Sequence, residues 1–169
     1  MLMYRQTNNS EVIGYLDSDF TGYIDSHKST SGYIFMMAGG AVSWRSVKQT
    51  LTATSTIEAE FVSYFEATSH GAWIKSFIYG LKVMDFIFKL LRIACDNSAT
   101  VFMAKNNKNR SQNKHIDIKY LAIRERVKEK KVIIEHVSIE LMTADTLTKG
   151  MPPMKFKDHI DKMELGSIM

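Results

Sequence analysis

Near residue 55 the hydrophobic pattern of this 169-residue chain changes period. Before that point apolar residues come in short runs or alternate with polar ones; beyond it they recur at helical spacing. Residues 41–50 (A-V-S-W-R-S-V-K-Q-T) alternate as a half-buried strand does. Residues 31–38 form a short apolar run, and Gly39-Gly40 between the two is a two-residue hairpin signal. Residues 11–19 place Val12, Ile13, Tyr15 and Leu16 ahead of an acidic end, which predicts a further strand. Residues 21–31, with Gly22, Asp25, Ser26, Lys28 and Ser29, predict a loop. The first part of the chain is therefore expected to be an antiparallel three-stranded meander. Over residues 56–81, Ile57, Phe61, Tyr64, Phe65, Thr68, Ala72 and Lys75 share one helical face while Glu66 and His70 point away. This predicts a long amphipathic helix, with Gly71 and Gly80 as the places where it would break.

A strand candidate at 90–95 ends at Asp96-Asn97-Ser98, a start signal for a helix over 99–105. A polar loop over 106–113, a basic helix over 116–130, a strand over 132–137 and a short helix over 141–149 follow, and Pro152-Pro153 precedes a last amphipathic piece. The order β-β-β-α-β-α-α-β-α implies an α/β fold, a mixed sheet with helices packed on it. With 45% hydrophobic and 24% charged residues the chain has material for one packed core. The expected organisation is a lead-in tail over 1–10, one domain over 11–150 and a C-terminal helical tail over 151–169.

Composition removes several classes. Cys95 is the single cysteine, so an intrachain disulfide framework and a cysteine-based zinc site are both excluded, and a reducing, intracellular compartment is expected. No apolar run has the length of a membrane span, and the first residues lack the layout of a signal peptide. No membrane partner is expected. The net charge of +4 is compatible with a polyanion. The excess is concentrated: residues 105–131 carry ten Lys or Arg against Asp117, Glu125 and Glu129. A solvated helix face is the ordinary reading of such a run.

The acids carry the chemistry. Asp17 falls near the end of the first predicted strand, Asp96 at the end of the fourth, Asp145 near a helix after the last, and Glu58 and Glu60 in the first turns of the long helix. Neighbouring strand ends in a mixed sheet can bring such positions together. Clustered carboxylates stay ionised only if cations neutralise them, and hard oxygen ligands select Mg²⁺ or Mn²⁺. Taken one at a time, strand-end acids are more often turn or cap residues, and Asp96 before Asn97-Ser98 has that reading too.

The words around these acids change the weighing. G-Y-L-D-S-D-F from Gly14, K-S-T-S-G-Y-I-F from Lys28, A-V-S-W-R-S-V-K-Q from Ala41 and S-T-I-E-A-E-F from Ser55 come first. C-D-N-S-A from Cys95, K-H-I-D-I-K-Y from Lys114 and A-D-T-L-T-K from Ala144 follow. In this order and spacing they resemble the ribonuclease H domain of Ty1/copia-type retrotransposon Pol polyproteins, plant copia-like elements in particular. The resemblance implies a ribonuclease H-like fold with a five-stranded mixed sheet, in which two parallel strands join the meander. It implies an acid set of Asp17, Glu60, Asp96 and Asp145 as catalytic residues and metal ligands, with Asp19 the less favoured acid of its word. Positions two apart on a helix point about 200° from each other. Glu58 and Glu60 therefore do not share a site easily. Glu60 is preferred because a small residue, Ser63, follows three positions on; Glu58 is the alternative. Ala67 and Gly71 beside Glu60 are expected to leave room for metal and substrate.

The implied activity is magnesium-dependent, two-ion endonucleolytic hydrolysis of the RNA strand of RNA/DNA hybrids during reverse transcription, with Mn²⁺ able to substitute. Asp17 would bridge both ions, Glu60 would hold one and Asp145 would complete the second. Ser18, Asn97 and Ser98 are candidate hybrid contacts. Lys105, Lys108, Arg110, Lys114 and His115 would follow the phosphate backbone, and Thr30, Ser31, Ser46 and Lys48 would add contacts from the strand side. The chain contains no polymerase domain, and a reverse transcriptase domain of a parent polyprotein is the expected partner, in the cytoplasm (virus-like particle) or the nucleus.

Some residues depart from the family pattern or have bland readings. Leu121 replaces a common histidine, Ala94 replaces an aromatic before the Cys-Asp pair, and His136 lies on a strand rather than in a mobile loop. Trp44 and Trp73 are expected in the core or on a sheet face, Met36, Met37, Met84 and Met103 as packing, and Cys95 as a buried strand residue. The alternative function is a non-catalytic nucleic-acid-binding remnant of such a polyprotein.

Overall fold

The computed structural model describes residues 11–23, 25–81, 91–106 and 114–163. Strands β1 (Val12–Tyr23), β2 (Lys28–Met37) and β3 (Gly40–Lys48) form the meander. Helix α1 (Thr56–Gly80) leads to β4 (Leu91–Cys95); α2 (Ser98–Lys105) and α3 (Lys114–Lys128) lead to β5 (Val132–His136). A 3₁₀ turn (Ile139–Leu141), a one-turn helix α4 (Asp145–Thr148) and α5 (Pro153–Lys162) complete the chain. The five strands form one sheet in the order β3-β2-β1-β4-β5, antiparallel up to β1 and parallel from β1 through β5. This is the expected five-stranded mixed sheet flanked by helices. No helix of the described residues is long and apolar enough to cross a membrane.

The boundaries shift where local chemistry misled the sequence reading. The expected loop over 21–31 is mostly strand: β1 runs on to Tyr23 past a register shift between Asp19 and Tyr23, and Thr21 takes a φ of 54°. The hairpin turn lies one residue earlier than Gly39-Gly40. Ala38 and Gly39 adopt φ of 54° and 82°, the positive pair of a type I′ turn, and Gly40 already pairs with Met37.

Alternation divides the sheet between two cores. Leu16, Phe35, Ile93 and Ile134 face α1 and α3, packing with Phe61, Tyr64 and Ala67 of α1 and Tyr120 and Ile123 of α3. The opposite face buries Ile34 and Ala41 under Met142, Ala144 and Met163, so the segment around α4 and α5 is anchored there. Helix α1 is unbroken, and most of its expected face packs on the core: Phe61, Tyr64 and Thr68 are buried and Ile57 and Phe65 partly so. Ala72 is exposed, whereas Glu60, Ser63, Ala67, Gly71 and Ile74 face inward. Gly71 serves close packing against the sheet rather than room at a metal site. A Cβ there would lie 2.6 Å from Leu91 Cδ2 and 2.9 Å from Phe35 Cε1. Phe35 also fills the space left by Gly14, its cross-strand partner.

The tryptophans are not core. Trp44 on β3 is 50% exposed, and Trp73 is 58% exposed on the outer side of α1, stacked between His70 and Phe77. Met36, Met37 and Met103 pack against the two cores as expected, while Met84 lies outside the described residues. Leu121 is exposed on α3 and Ala94 is buried in the sheet.

Part of the basic run is used internally. Arg126 donates to Thr68 Oγ1 (2.6 Å) and Ser69 Oγ (3.2 Å) of α1, and Lys119 and Arg126 both lie over the Phe65 ring. Arg124 is buried, donates to the Asn106 carbonyl and lies over the Tyr120 ring. These cations fasten α3 to α1 and to the end of α2.

A Gly→Ala change within a helix ordinarily gains about 1 kcal/mol. Gly71→Ala is instead expected to destabilise the fold, by about 1–3 kcal/mol in urea denaturation, because the new methyl overpacks Phe35 and Leu91. Adding Phe35→Leu should recover part of that loss.

Candidate metal centre and nucleic-acid cleft

The local sequence brings Asp17 and Asp96 onto one face of the sheet. Leu16 and Cys95 point into the core under α1, so Asp17, which lies within β1 rather than near its end as expected, and Asp96, just past β4, point to the opposite face. β1 and β4 are adjacent and parallel, which sets the two acids side by side. Asp145 comes from α4, which lies over the same face. Its approach depends on Gly32, the partner of Asp17 across β2. A Cβ on Gly32 would meet Thr148 Cγ2 at 2.5 Å and Leu147 Cβ at 3.0 Å. Ser46 of β3 also donates to the Leu147 carbonyl at 2.6 Å, tying α4 to the sheet. Carboxylate oxygens of Asp17, Asp96 and Asp145 thereby lie within 4.8 Å of one another.

Glu60 reaches the same place from α1. Ser63, one turn on, donates to the Asp17 carbonyl at 3.1 Å, and the buried Gln49 amide donates to Ser31 Oγ and the Ala59 carbonyl, both at 2.9 Å. The start of α1 is thus pinned to β1 and β2. Glu60 is 3% exposed and lines an open cleft of about 490 Å³ together with Asp17, Ser18, Asp19, Asp96, Asn97 and Ser98. Phe20, Thr56 and Lys149 complete its walls. Glu58 is occupied elsewhere. Its carboxylate accepts from Thr54 N and Oγ1, both at 2.8 Å, and its N–H donates to Ser55 Oγ at 3.2 Å, a reciprocal cap of α1.

Electrostatics mark the centre. Burial first, then the charges of Asp17 and Asp96, push Glu60 up to about 8. Burial and then Asp17 raise both Asp96 and Asp145 above the usual carboxylate range. Burial opposes the Lys149 charge, but Asp17 and then Asp145 outweigh it and hold the ammonium well above the ordinary lysine value. Lys149 Nζ donates to Asp17 Oδ1 and to Asp145 Oδ1, each at 3.1 Å. Thr148 Oγ1 donates to the other Asp17 oxygen. A cation already lies among these acids, and their oxygens are hard donors, so the set fits Mg²⁺ or Mn²⁺. Cys95 is fully buried beside Glu60; burial and the Glu60 charge raise its thiol, which disfavours a nucleophilic role.

The remaining candidates separate by position. Ser18, Asn97 and Ser98 line the cleft, where Asn97 also caps α2 by accepting from Thr100 N at 3.1 Å. Lys105 ends α2, and Lys114 and His115 open α3, all outside the cleft wall. Lys108 and Arg110 lie outside the described residues. Ser31 is fully buried against Gln49 and is unable to contact a nucleic acid. Ser46 is engaged with the Leu147 carbonyl.

Several site residues escaped the sequence reading. Lys149 had a usable signal, its i,i+4 spacing from Asp145. His136 had none: its Nε2 lies 3.0 Å from the Asp96 carbonyl only because β4 and β5 pair in register. A carbonyl only accepts, so Nε2–H donates and steadies the backbone that carries Asp96.

Comparison with known proteins agrees with this fold. The structure of LC11-RNase H1 in complex with RNA/DNA hybrid superposes with a TM-score of 0.58 over 82% of this chain and 94% of that one, at 16% identity. The fold is that of ribonuclease H domains. In sequence, the chain is 36% identical over 146 residues, 85% of its length, to the retrovirus-related Pol polyprotein from transposon TNT 1-94 of Nicotiana tabacum. It is 32% identical over 165 residues, 96% of its length, to that from transposon RE1 of Arabidopsis thaliana. The chain is thus homologous, over most of its length, to Ty1/copia-type Pol polyproteins. It spans 11% of the length of these two curated relatives. No protein-family model matches it.

The raised Glu60 pKa has a sign that experiment checks. Between about pH 4.5 and 8 the folded, metal-free protein keeps a proton on Glu60 that the unfolded chain releases. Its stability should therefore fall as pH rises through this window, by at most about 1.4 kcal/mol per pH unit from this group. Denaturation in EDTA at several pH values should show a shallower fall for Glu60→Gln.

Proposed function

We propose that this chain hydrolyses the RNA strand of RNA/DNA hybrids by a two-metal mechanism, serving retrotransposon reverse transcription beside a reverse transcriptase domain of the parent polyprotein. The observation that carries the reading is the convergence of Asp17, Asp96 and Asp145, with Glu60 at their side, on a ribonuclease H fold in a homologue of Pol polyproteins. Asp17, Glu60, Asp96 and Asp145 are the metal ligands. Asp17 would serve both ions, Asp96 and Glu60 one of them, and Asp145 would complete the second. When bound there, two Mg²⁺ ions, or Mn²⁺ in their place, would supply an activated water and stabilisation of the leaving oxygen, for a hydrolysis that leaves a 5′-phosphate and a 3′-hydroxyl.

The rest is work for this chain's own residues. The strand ends and α1 preorganise the carboxylates. Ser63 and His136 hold the backbones of Asp17 and Asp96. Ser18, Asn97 and Ser98 line the cleft beside the acids and contact the hybrid there. Glu60 and the backbone near Ser18 are positioned to read a ribose 2′-hydroxyl, the feature that separates RNA from DNA. Lys105, Lys114 and His115 contact backbone phosphates further out, which makes binding salt-dependent.

The test uses labelled RNA/DNA hybrid, double-stranded RNA and double-stranded DNA, each with Mg²⁺ or with EDTA. Cleavage confined to the RNA of the hybrid and dependent on Mg²⁺ is expected. Asp96→Asn should reduce the rate by about 10²-fold or more with the fold intact by circular dichroism. Tight hybrid binding without cleavage would identify a non-catalytic binding domain instead, and an Asp96→Asn variant as active as the parent would remove Asp96 from the site.

A further inference from the structure

Both carboxylate oxygens of Asp17 are held by consecutive residues at the end of α4. Lys149 Nζ takes Oδ1 at 3.1 Å and Thr148 Oγ1 takes Oδ2. The same ammonium takes Asp145 Oδ1 at 3.1 Å. It therefore sits between the two acids that the metal reading assigns to one of the ions. Their side chains are nearly inaccessible, 2% and 9% exposed, whereas that of Lys149 is 43% exposed.

An ammonium is a compact point charge with three donors and no fixed plane, so it resembles a small hard cation more closely than a guanidinium does. It neutralises part of the repulsion among three carboxylates whose oxygens lie within 4.8 Å. A divalent ion entering between Asp17 and Asp145 would meet that charge at short range, and the two cannot share the space. The half-exposed, flexible lysine stem can move out, whereas the buried aspartates are fixed by strand and helix.

We infer that Lys149, backed by Thr148, is a built-in occupant of the Asp17–Asp145 ion position, which a divalent ion must displace. The inference rests on the metal reading above. It makes the two ion positions unequal. Lys149 makes its hydrogen bonds to Asp17 and Asp145, while Asp96 and Glu60, in the same cleft, feel only its charge; the Asp17–Asp145 side therefore carries the closer counter-ion and fills second. The metal-free domain keeps its acids partly compensated as a result. A purely supporting role for Lys149, holding the carboxylates in place for metal, predicts the opposite sign: removing it would weaken metal binding.

The experiment titrates MnCl₂ into the chelator-treated 169-residue chain by isothermal calorimetry. Wild type, Lys149→Gln, Lys149→Arg and Thr148→Val are compared. Lys149→Gln should bind the weaker of two ions about tenfold more tightly than wild type, within the usual range of coupling between sites. Lys149→Arg, which keeps the charge but not the compact ammonium, should fall between wild type and Lys149→Gln, and Thr148→Val should tighten binding by less than Lys149→Gln. Without metal, Lys149→Gln should melt below wild type, and saturating Mn²⁺ should close that gap. Binding by Lys149→Gln that is equal or weaker overturns the inference while leaving the metal reading intact. If metal-free Lys149→Gln does not fold, the sign of the change in Thr148→Val decides. Absence of Mn²⁺ binding in wild type and every variant overturns the metal reading and the inference with it.

Discussion

Three carboxylates whose oxygens come within 4.8 Å of one another repel, and much of the surrounding architecture resists that repulsion. Asp17 and Asp96 are held by the pairing of β1 with β4, whose register is shared by the buried residues beneath. Asp145 is held by α4, which reaches the sheet because Gly32 has no side chain and because Met142 and Ala144 are buried on the opposite core. The cost of bringing the acids together is thus met by apolar packing on both faces of the sheet. Within the described residues, the Lys149 ammonium offsets part of the charge directly.

The same constraint accounts for the division of labour among the other charged and polar groups. Glu60, buried against Asp17 and Asp96, keeps its proton well above the usual carboxylate range, so the metal-free centre carries less charge than its formula suggests. Ser63 and His136 spend their hydrogen bonds on the carbonyls of Asp17 and Asp96, leaving the Asp17 carboxylate to Lys149 and Thr148 at the cleft. Farther away, Arg124 and Arg126 fasten α3 by bonds to Asn106, Thr68 and Ser69, so the basic segment is partly scaffold. Lys105, Lys114 and His115 occupy the ends of α2 and α3.

The mixed sheet, the meander that orders its first three strands and the place of Asp96 after β4 were legible in the sequence, whereas Asp17 lies within β1 rather than near its end. Alternation over residues 41–50 and helical spacing after residue 56 report directly on which side of an element is buried. Errors arose where local propensity and tertiary packing disagree. Residues 21–23 and 28–31 carry loop chemistry yet belong to strands, because β1 and β2 continue their ladder across a bulge. Ala38 takes a positive φ usually left to glycine because the hairpin register demands it. Trp73 is apolar enough to suggest burial but lies on the side of α1 away from the sheet, where stacking with His70 and Phe77 covers part of it.

By itself the sequence determined the class of the chain and its candidate acids, since ordered words such as C-D-N-S-A and A-D-T-L-T-K survive without a structure. It favoured Glu60 but kept Glu58 as an alternative, because a capping glutamate and a cleft glutamate look alike two positions apart. Only the tertiary structure decided that Glu58 closes the start of α1 while Glu60 turns toward Asp17 and Asp96. It alone placed Lys149 between Asp17 and Asp145. Asp17 and Lys149 are 132 residues apart, and no local pattern reports on so distant a contact. The sheet and α4 bring them together because buried apolar surface, not the charges, sets where the chain runs.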